Sequence, residues 1–221
     1  MIRRNLLALL LCLFPLAALA QPMLPGTPKE GVDYVTLPAP LPTFAPGKIE
    51  IAEVFSYGCV HCAEFQPFVN TWKKTMAKDV RWEYVPGAFG GHWDRFARAY
   101  FAAQILGVQE KTHDAVFKGI FVDRVVKTAS AEELADLYAR LGVDRAKFLA
   151  TMSSEAVTTK LAKSRDFAQR TGVDSTPTLI VNGKYRVTGK SFEDNLRIAT
   201  QLVAQERAAQ PTGQGQAAAQ P

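Results

Sequence analysis

Hydrophobic residues alternate with polar ones in short runs near both ends of the chain, whereas in the middle they recur every three to four residues. The alternating runs and the β-branched or aromatic content predict strands at 33–37, 48–55, 79–86, 177–181 and 184–188. The longer spacing predicts helices at about 63–78, 92–106, 109–121, 130–141, 144–152, 154–171 and 191–205. A βαβ unit and a ββα unit therefore flank a block made only of helices.

Local signals support several of these boundaries. Asn182-Gly183 stands between two strand-like runs, which is the strongest short-range indication of a β-hairpin. Ser130 followed by Glu133 has the spacing of a capping box at a helix start. Pro67 lies inside the first predicted helix and should kink it, since proline has no N–H for the preceding turn.

The two ends of the chain differ in composition from the rest. Residues 1–20 have the pattern of a secretory signal peptide, with Arg3-Arg4, an apolar run and the cleavage site Ala18-Leu19-Ala20. Residues 21–47 are rich in proline and predict an extended arm. Residues 208–221 are rich in Ala, Gln, Gly and Pro and predict a disordered tail. The signal peptide predicts export to an oxidising compartment.

Composition indicates an ordinary globular protein, with 48% hydrophobic and 21% charged residues. Loss of Arg3 and Arg4 with the signal peptide lowers the formal charge from +5 to +3. So small an excess, spread along the chain, argues against a nucleic-acid-binding or membrane-binding protein.

The cysteines point to redox chemistry. Cleavage of the signal peptide removes Cys12 and leaves Cys59 and Cys62, in the sequence Cys59-Val60-His61-Cys62. A disulfide between two cysteines with only two residues between them closes too small a loop to stabilise the fold. No second cysteine pair exists to complete a structural zinc site. No metal ligand is assigned. At the start of a helix, Cys59 would face unpaired N–H groups and the positive end of the helix dipole, and both favour the reactive thiolate.

These features together resemble the DsbA family of the thioredoxin superfamily. The resemblance covers about 45–205 and implies an α/β, thioredoxin-like fold with an inserted all-helical domain. Its thioredoxin parts would be about 45–87 and 172–205, and its helical insertion about 88–171. The features that carry it are the Cys59–Cys62 motif, Glu53 six residues upstream, Thr176-Pro177 and the hairpin from Val181 to Tyr185.

The resemblance implies a catalytic role for the pair, with Cys59 as nucleophile and Cys62 as its resolving partner in a redox-active disulfide. It also implies a cis peptide bond at Pro177, facing the cysteines, and a Thr176 backbone that pairs with an extended substrate peptide. The family usually has proline where this chain has Val60, and the two central residues tune thiolate stability.

Two further candidate catalytic residues each have an alternative interpretation. His61 could stabilise the Cys59 thiolate as a hydrogen-bond donor or partial cation, or it could be a solvent-facing residue. Glu53 could relay protons to or from Cys62, or it could face solvent or pair with a buried cation. His92 and His113 are interpreted as surface or packing residues.

The leading hypothesis is a monomeric periplasmic oxidase, without a cofactor, that introduces disulfides into reduced, unfolded exported proteins. By resemblance, a membrane protein of the DsbB type would reoxidise it. A disulfide isomerase or reductase of the same fold is the first alternative, because Thr176 is common in other thioredoxin-like branches. A peptide-binding chaperone with incidental cysteines is the second.

Overall fold

The structure is a computed structural model that describes residues 26–210. The expected signal peptide at 1–20 and residues 211–221 of the expected tail lie outside this range. The described part contains five strands and seven helices: β1 Tyr34–Thr36, β2 Ile49–Phe55, α1 Val60–Lys73, β3 Val80–Pro86, α2 His92–Ile105, α3 Gln109–Phe121, α4 Ala131–Arg140, α5 Arg145–Met152, α6 Glu155–Thr171, β4 Thr178–Val181, β5 Tyr185–Val187 and α7 Phe192–Ala209.

The strands form one mixed sheet in the order β1-β5-β4-β2-β3. β2 pairs in parallel with β3 through the crossover helix α1, and antiparallel with β4. All seven residues of β2 are buried, including Glu50 and Glu53, as is typical of a central strand covered on both faces. The βαβ unit, the ββα unit and the helical insertion are thus confirmed, and with them the thioredoxin-like fold class.

The helical block, α2 to α6, connects β3 to β4 and packs over the sheet through aromatic residues. Phe55, at the end of β2, lies in edge-to-face contact with aromatic rings on β3, α2 and α3 and in the turn after β2. This aromatic cluster consists of Phe55, Tyr57, Tyr84, Tyr100, His113 and Phe117. His113 is buried within it, in agreement with its interpretation as a packing residue.

The helix starts follow the predicted caps with one difference. Ser130 Oγ accepts a hydrogen bond from the Glu133 N–H at 3.2 Å, as expected. The Glu133 carboxylate, however, accepts from the N–H groups of Lys127 and Thr128 instead of returning to Ser130. The capping box is therefore only half formed, and the glutamate orders the preceding loop.

Two helix ends differ from the predictions. α1 ends at Lys73, not near 78, because the chain must turn back to begin β3 beside β2. α7 continues to Ala209, so residues 208 and 209 are helical and do not belong to a disordered tail. The last turn of α7 is held by buried Glu206, which accepts from Lys184 Nζ at 2.6 Å, and by an ion pair of Arg207 with Asp79.

Where the structure describes the arm at 21–47, the arm contains strand β1 and contacts the hairpin formed by β4 and β5. β1 pairs antiparallel with β5, and Leu41 donates its N–H to the carbonyl of Gly183 at 2.8 Å. Asn182 and Gly183 both have positive φ, at 50° and 64°, which is the geometry of a tight hairpin turn. A Cβ on Gly183 would lie 2.2 Å from the Leu41 carbonyl oxygen, so the arm and the hairpin meet closely at this glycine.

Candidate active site

A short turn delivers the first cysteine from the end of β2 to the start of α1. Ser56 Oγ accepts from the Gly58 N–H at 3.1 Å, and Phe96 of α2 packs directly against Gly58. A Cβ at position 58 would lie 2.6 Å from the Phe96 ring, so this approach requires glycine. The helical block therefore shapes the turn that precedes Cys59.

Cys59 is the N-cap residue of α1. It has extended backbone angles, and its Sγ accepts from the Cys62 N–H at 3.4 Å. Cys59 is half-buried, whereas Cys62, one turn into the helix, is fully buried. Both are free thiols in this structure. The more accessible sulfur is the one expected to meet a substrate.

The two sulfurs have opposite acid–base character. The pKa of Cys59 is lowered to about 5, and the largest cause is a hydrogen bond donated by the Cys62 thiol. Hydrogen bonds from Thr176 and from the backbone N–H groups of Cys62 and His61 lower it further, whereas burial of Cys59 raises it. Burial raises the pKa of Cys62 far above that of a free thiol, and Cys59 and Glu53 raise it further. At neutral pH the pair is therefore a thiolate beside a thiol.

Thr176-Pro177 lies against Cys59 although it is 117 residues away in the sequence. The peptide bond between Thr176 and Pro177 is cis. The Cys59 thiol lies within hydrogen-bonding distance of the Thr176 carbonyl oxygen, at 3.4 Å. The structure thus brings together the two parts of the chain that the sequence placed at one site.

Glu53 is buried in the central strand, between Tyr84 on β3 and Leu179 on β4. With 1% of its surface exposed, it does not face solvent, and its Oε2 has no hydrogen-bond partner in the described part of the chain. Burial raises the pKa of this carboxyl to about 8, although the nearby Trp82 indole and the Lys73 ammonium oppose the shift. Glu53 is therefore mostly protonated at neutral pH.

His61 points away from the sulfurs. Its side chain is 69% exposed, and Nδ1 lies 3.1 Å from Oε2 of Glu64, one turn along the same helix. No hydrogen bond joins its imidazole to Cys59 in this structure; its backbone N–H is the group that lowers the pKa of Cys59. Val60, the first residue of α1, is also exposed, so both central residues of the motif lie at the surface.

Some residues that shape the site have no sequence signal. Phe96, on α2 of the helical insertion, contacts the turn before Cys59. Lys73, the last residue of α1, lies near Glu53. Tyr57, within the turn, forms a hydrogen bond of 2.9 Å with His113 of α3. These relations depend on tertiary packing and could not be predicted from spacing. Within residues 26–210, no cluster of three or more His, Cys, Asp or Glu side chains could hold a metal ion.

Comparison with known proteins places this geometry in a family. Residues 72–201 match the model of the DSBA-like thioredoxin domain. The thiol:disulfide interchange protein DsbA of Azotobacter vinelandii is 37% identical over 201 residues, which cover 90% of this chain and 94% of that protein.

Solved structures agree. The oxidoreductase DsbA of Xylella fastidiosa is 45% identical, with a TM-score of 0.80, over 83% of this chain and 100% of that one. DsbA of Pseudomonas aeruginosa is 38% identical, with a TM-score of 0.76, over 81% and 94%. These solved structures thus share the fold of this chain over most of its length. The chain belongs to the DsbA family of thiol:disulfide oxidoreductases.

Proposed function

We propose that this protein is a periplasmic dithiol–disulfide oxidase that donates the Cys59–Cys62 disulfide to newly exported proteins. The observation that carries the proposal is the difference between the two sulfurs. A Cys59 pKa of about 5 makes this sulfur a good leaving group, and it stabilises the reduced form of the enzyme. A disulfide whose reduced form is stabilised readily oxidises the thiols of a substrate.

The reaction proceeds in two exchanges. A substrate thiolate attacks Cys59 of the oxidised enzyme, forms a mixed disulfide and releases Cys62 with the electron pair of the broken S–S bond. A second substrate thiolate then attacks the substrate's own sulfur and releases Cys59 as a thiolate. The substrate dithiol is oxidised to a disulfide, and the enzyme disulfide is reduced to a dithiol.

Glu53 supplies the proton that the first exchange requires. Cys62 leaves as a thiolate in a fully buried position, where its raised pKa makes the charged form costly. Glu53 is mostly protonated at neutral pH, and when it is ionised its negative charge raises the pKa of Cys62. It acts as a general acid when Cys62 leaves, and as a general base when the enzyme is reoxidised. His61 stabilises the Cys59 thiolate from its exposed position on the protein surface, without a hydrogen bond from its imidazole to the sulfur.

Substrate binding is assigned to Thr176 and Pro177, with the Thr176 backbone pairing with an extended peptide beside Cys59. Exposed apolar side chains suit unfolded polypeptides: Val60 and Phe68 on α1, and Phe89 just before α2, each expose more than a third of their surface. A membrane reoxidant of the DsbB type would return the pair to the disulfide. The protein would act as a monomer and without a cofactor.

The proposal is tested with reduced, unfolded substrate protein and the mature enzyme in oxidised form. Wild type should form substrate disulfides, and Cys59→Ala should form none. Cys62→Ser cannot form the internal disulfide, so oxidised glutathione is supplied as the oxidant and first forms a mixed disulfide with Cys59. Exchange with a substrate that has one cysteine should then release glutathione and leave Cys59 joined to the substrate, visible on non-reducing gels. Unchanged disulfide formation with Cys59→Ala would exclude the proposed function.

A further inference from the structure

Apart from the active site, a cleft of about 620 Å³ lies between the helices of the insertion, and two arginines line it. Arg95 and Arg98 line it from α2, Ser130 from the start of α4, Met152 from the end of α5 and Thr158 from the first turns of α6. We call it the arginine cleft. Its volume is in the range of pockets that bind small molecules or a few residues of a peptide.

Both guanidinium groups are held by neutral acceptors. Arg98 is half-buried, and its Nη1 donates to the Met152 carbonyl at 3.2 Å and to Thr158 Oγ1 at 3.3 Å. Arg95 Nη1 donates to the Thr128 carbonyl at 3.2 Å. These bonds fix the orientation of the two side chains but leave both positive charges without a balancing negative charge. Each guanidinium has further N–H donors available.

Most of the other arginines in residues 26–210 are paired with an acid. Six of them have a carboxylate oxygen within 4.0 Å: Arg81, Arg145, Arg165, Arg170, Arg197 and Arg207. In this range Arg124, Arg140 and Arg186 are not paired with an acid, and Arg186 donates to backbone carbonyls. Among residues 26–210, no carboxylate pairs with Arg95 or Arg98. Asp94, next to Arg95, is bound to Arg165 at 2.6 Å, and Glu133 of α4 accepts from backbone N–H groups of the loop before it. The acids nearest in sequence are thus engaged elsewhere.

Two adjacent unpaired guanidiniums favour a carboxylate ligand. Arginine binds carboxylates through two parallel N–H donors, and a partly desolvated positive charge is normally compensated by an opposite one. Met152 and Ala131 add apolar surface, so the cleft suits an acidic residue with apolar neighbours. A polypeptide can present such a segment.

Helix α2, which carries both arginines, also contacts the turn before the cysteines. Its Phe96 packs on Gly58, directly before Cys59. We propose that the arginine cleft binds a carboxylate of the polypeptide that reacts at Cys59, and that it thereby favours substrates with an acidic segment. This inference rests on the proposed function for its choice of ligand. A purely structural role, in which Arg98 caps the C-terminus of α5, would predict no carboxylate preference.

Binding can be measured without any redox step. The probe is a fluorescent, cysteine-free hexapeptide with two glutamates flanked by leucines, and its matched partner has glutamines in their place. Fluorescence anisotropy with the mature protein at low ionic strength should show the glutamate peptide bound at least about tenfold more tightly than the glutamine peptide. Arg95→Gln/Arg98→Gln should abolish this preference.

A matched variant controls for net charge. Arg124 and Arg140 are exposed, belong to the same helical block and make no ion pair in the described chain. Arg124→Gln/Arg140→Gln removes two charges away from the cleft and should keep the preference within about twofold of wild type, since distant exposed charges are screened. If the double cleft variant does not fold, Arg95→Gln alone, at the more exposed position, should still reduce the preference.

Three results would overturn the inference: equal binding of the two peptides by wild type, the same loss in the control variant, or binding of inorganic phosphate or anionic lipid vesicles through the arginines without a glutamate preference. Because the probe has no thiol, Cys59→Ala should bind it like wild type. Failure of binding would therefore leave the oxidase proposal intact, and failure of oxidation would leave the binding result intact.

Discussion

Cys59 and Cys62 are separated by one helical turn, yet one sulfur is stabilised as an anion and the other as a thiol. Cys59 receives hydrogen bonds at the helix start and keeps part of its surface in solvent, whereas Cys62 is enclosed among apolar side chains. The largest effect on Cys59 is the hydrogen bond from the Cys62 thiol. At the residue scale the second cysteine thus tunes the acidity of the first.

This dependence predicts a difference between two substitutions of the buried cysteine. Cys62→Ala removes the donor and should raise the pKa of Cys59 by about one unit, whereas Cys62→Ser retains a hydroxyl donor and should raise it less. Absorbance of the thiolate at 240 nm, followed from pH 3 to 9, measures both. Equal pKa values in the alanine and serine variants would show that the thiol does not donate to Cys59.

Glu53 predicts a pH-dependent stability. Its pKa rises from 4.5 to about 8 on folding, so between these values the folded state binds more protons than the unfolded state and stability falls as the pH rises. Glu53→Gln removes this penalty. The variant should gain stability relative to wild type, by roughly 2 kcal/mol more at pH 8.5 than at pH 6.

Urea unfolding of the reduced proteins at the two pH values tests this. Glu50 is the control, because it is also buried in β2 with a pKa raised to about 7, but it accepts two backbone N–H groups, from Phe44 and Ala45. Glu50→Gln weakens these bonds and should therefore destabilise the protein at both pH values. A pH-independent difference between Glu53→Gln and wild type would contradict the buried, protonated state of Glu53.

At the scale of elements, the sequence predicted most of the fold because each signal was local. Alternation defined β2 to within one residue of its start, and Asn182-Gly183 identified the hairpin. The end of α1 and the length of α7 were wrong because tertiary contacts decide them. Burial of Glu53 was one of the alternatives that the sequence left open, and pairing of β2 with a strand on each side decides it. Glu50, buried in the same strand, was missed altogether.

The hairpin turn yields a prediction with an internal control. Gly183 has φ +64°, and a Cβ there would collide with the backbone of Leu41 in the arm. Gly142, after α4, has a similar φ of +84° but open space around it. Both alanine variants incur backbone strain of about 1 kcal/mol, but Gly183→Ala should lose roughly 2 kcal/mol more. Equal free energies of unfolding for the two variants would show that the arm yields to the added methyl group.

At the scale of the whole molecule, the helical insertion supports the redox site as well as covering the sheet. The aromatic cluster joins β2 to α2 and α3, and Tyr57 hydrogen-bonds to His113 two residues before Cys59. Phe96 packs on Gly58. None of the helices within residues 26–210 has the length and apolar character that a membrane span requires. The molecule thus presents one reactive sulfur on a surface that two parts of the chain build together.

The central claim is that the Cys59–Cys62 disulfide is an electron acceptor toward substrate thiols. Equilibration of the mature protein with glutathione buffers, followed by thiol trapping and mass spectrometry, measures its reduction potential. The stabilised Cys59 thiolate predicts a couple more oxidising than the roughly −200 mV of glutaredoxins. A value near −270 mV, as in a reducing dithiol such as thioredoxin, would contradict the account and make the protein a reductase.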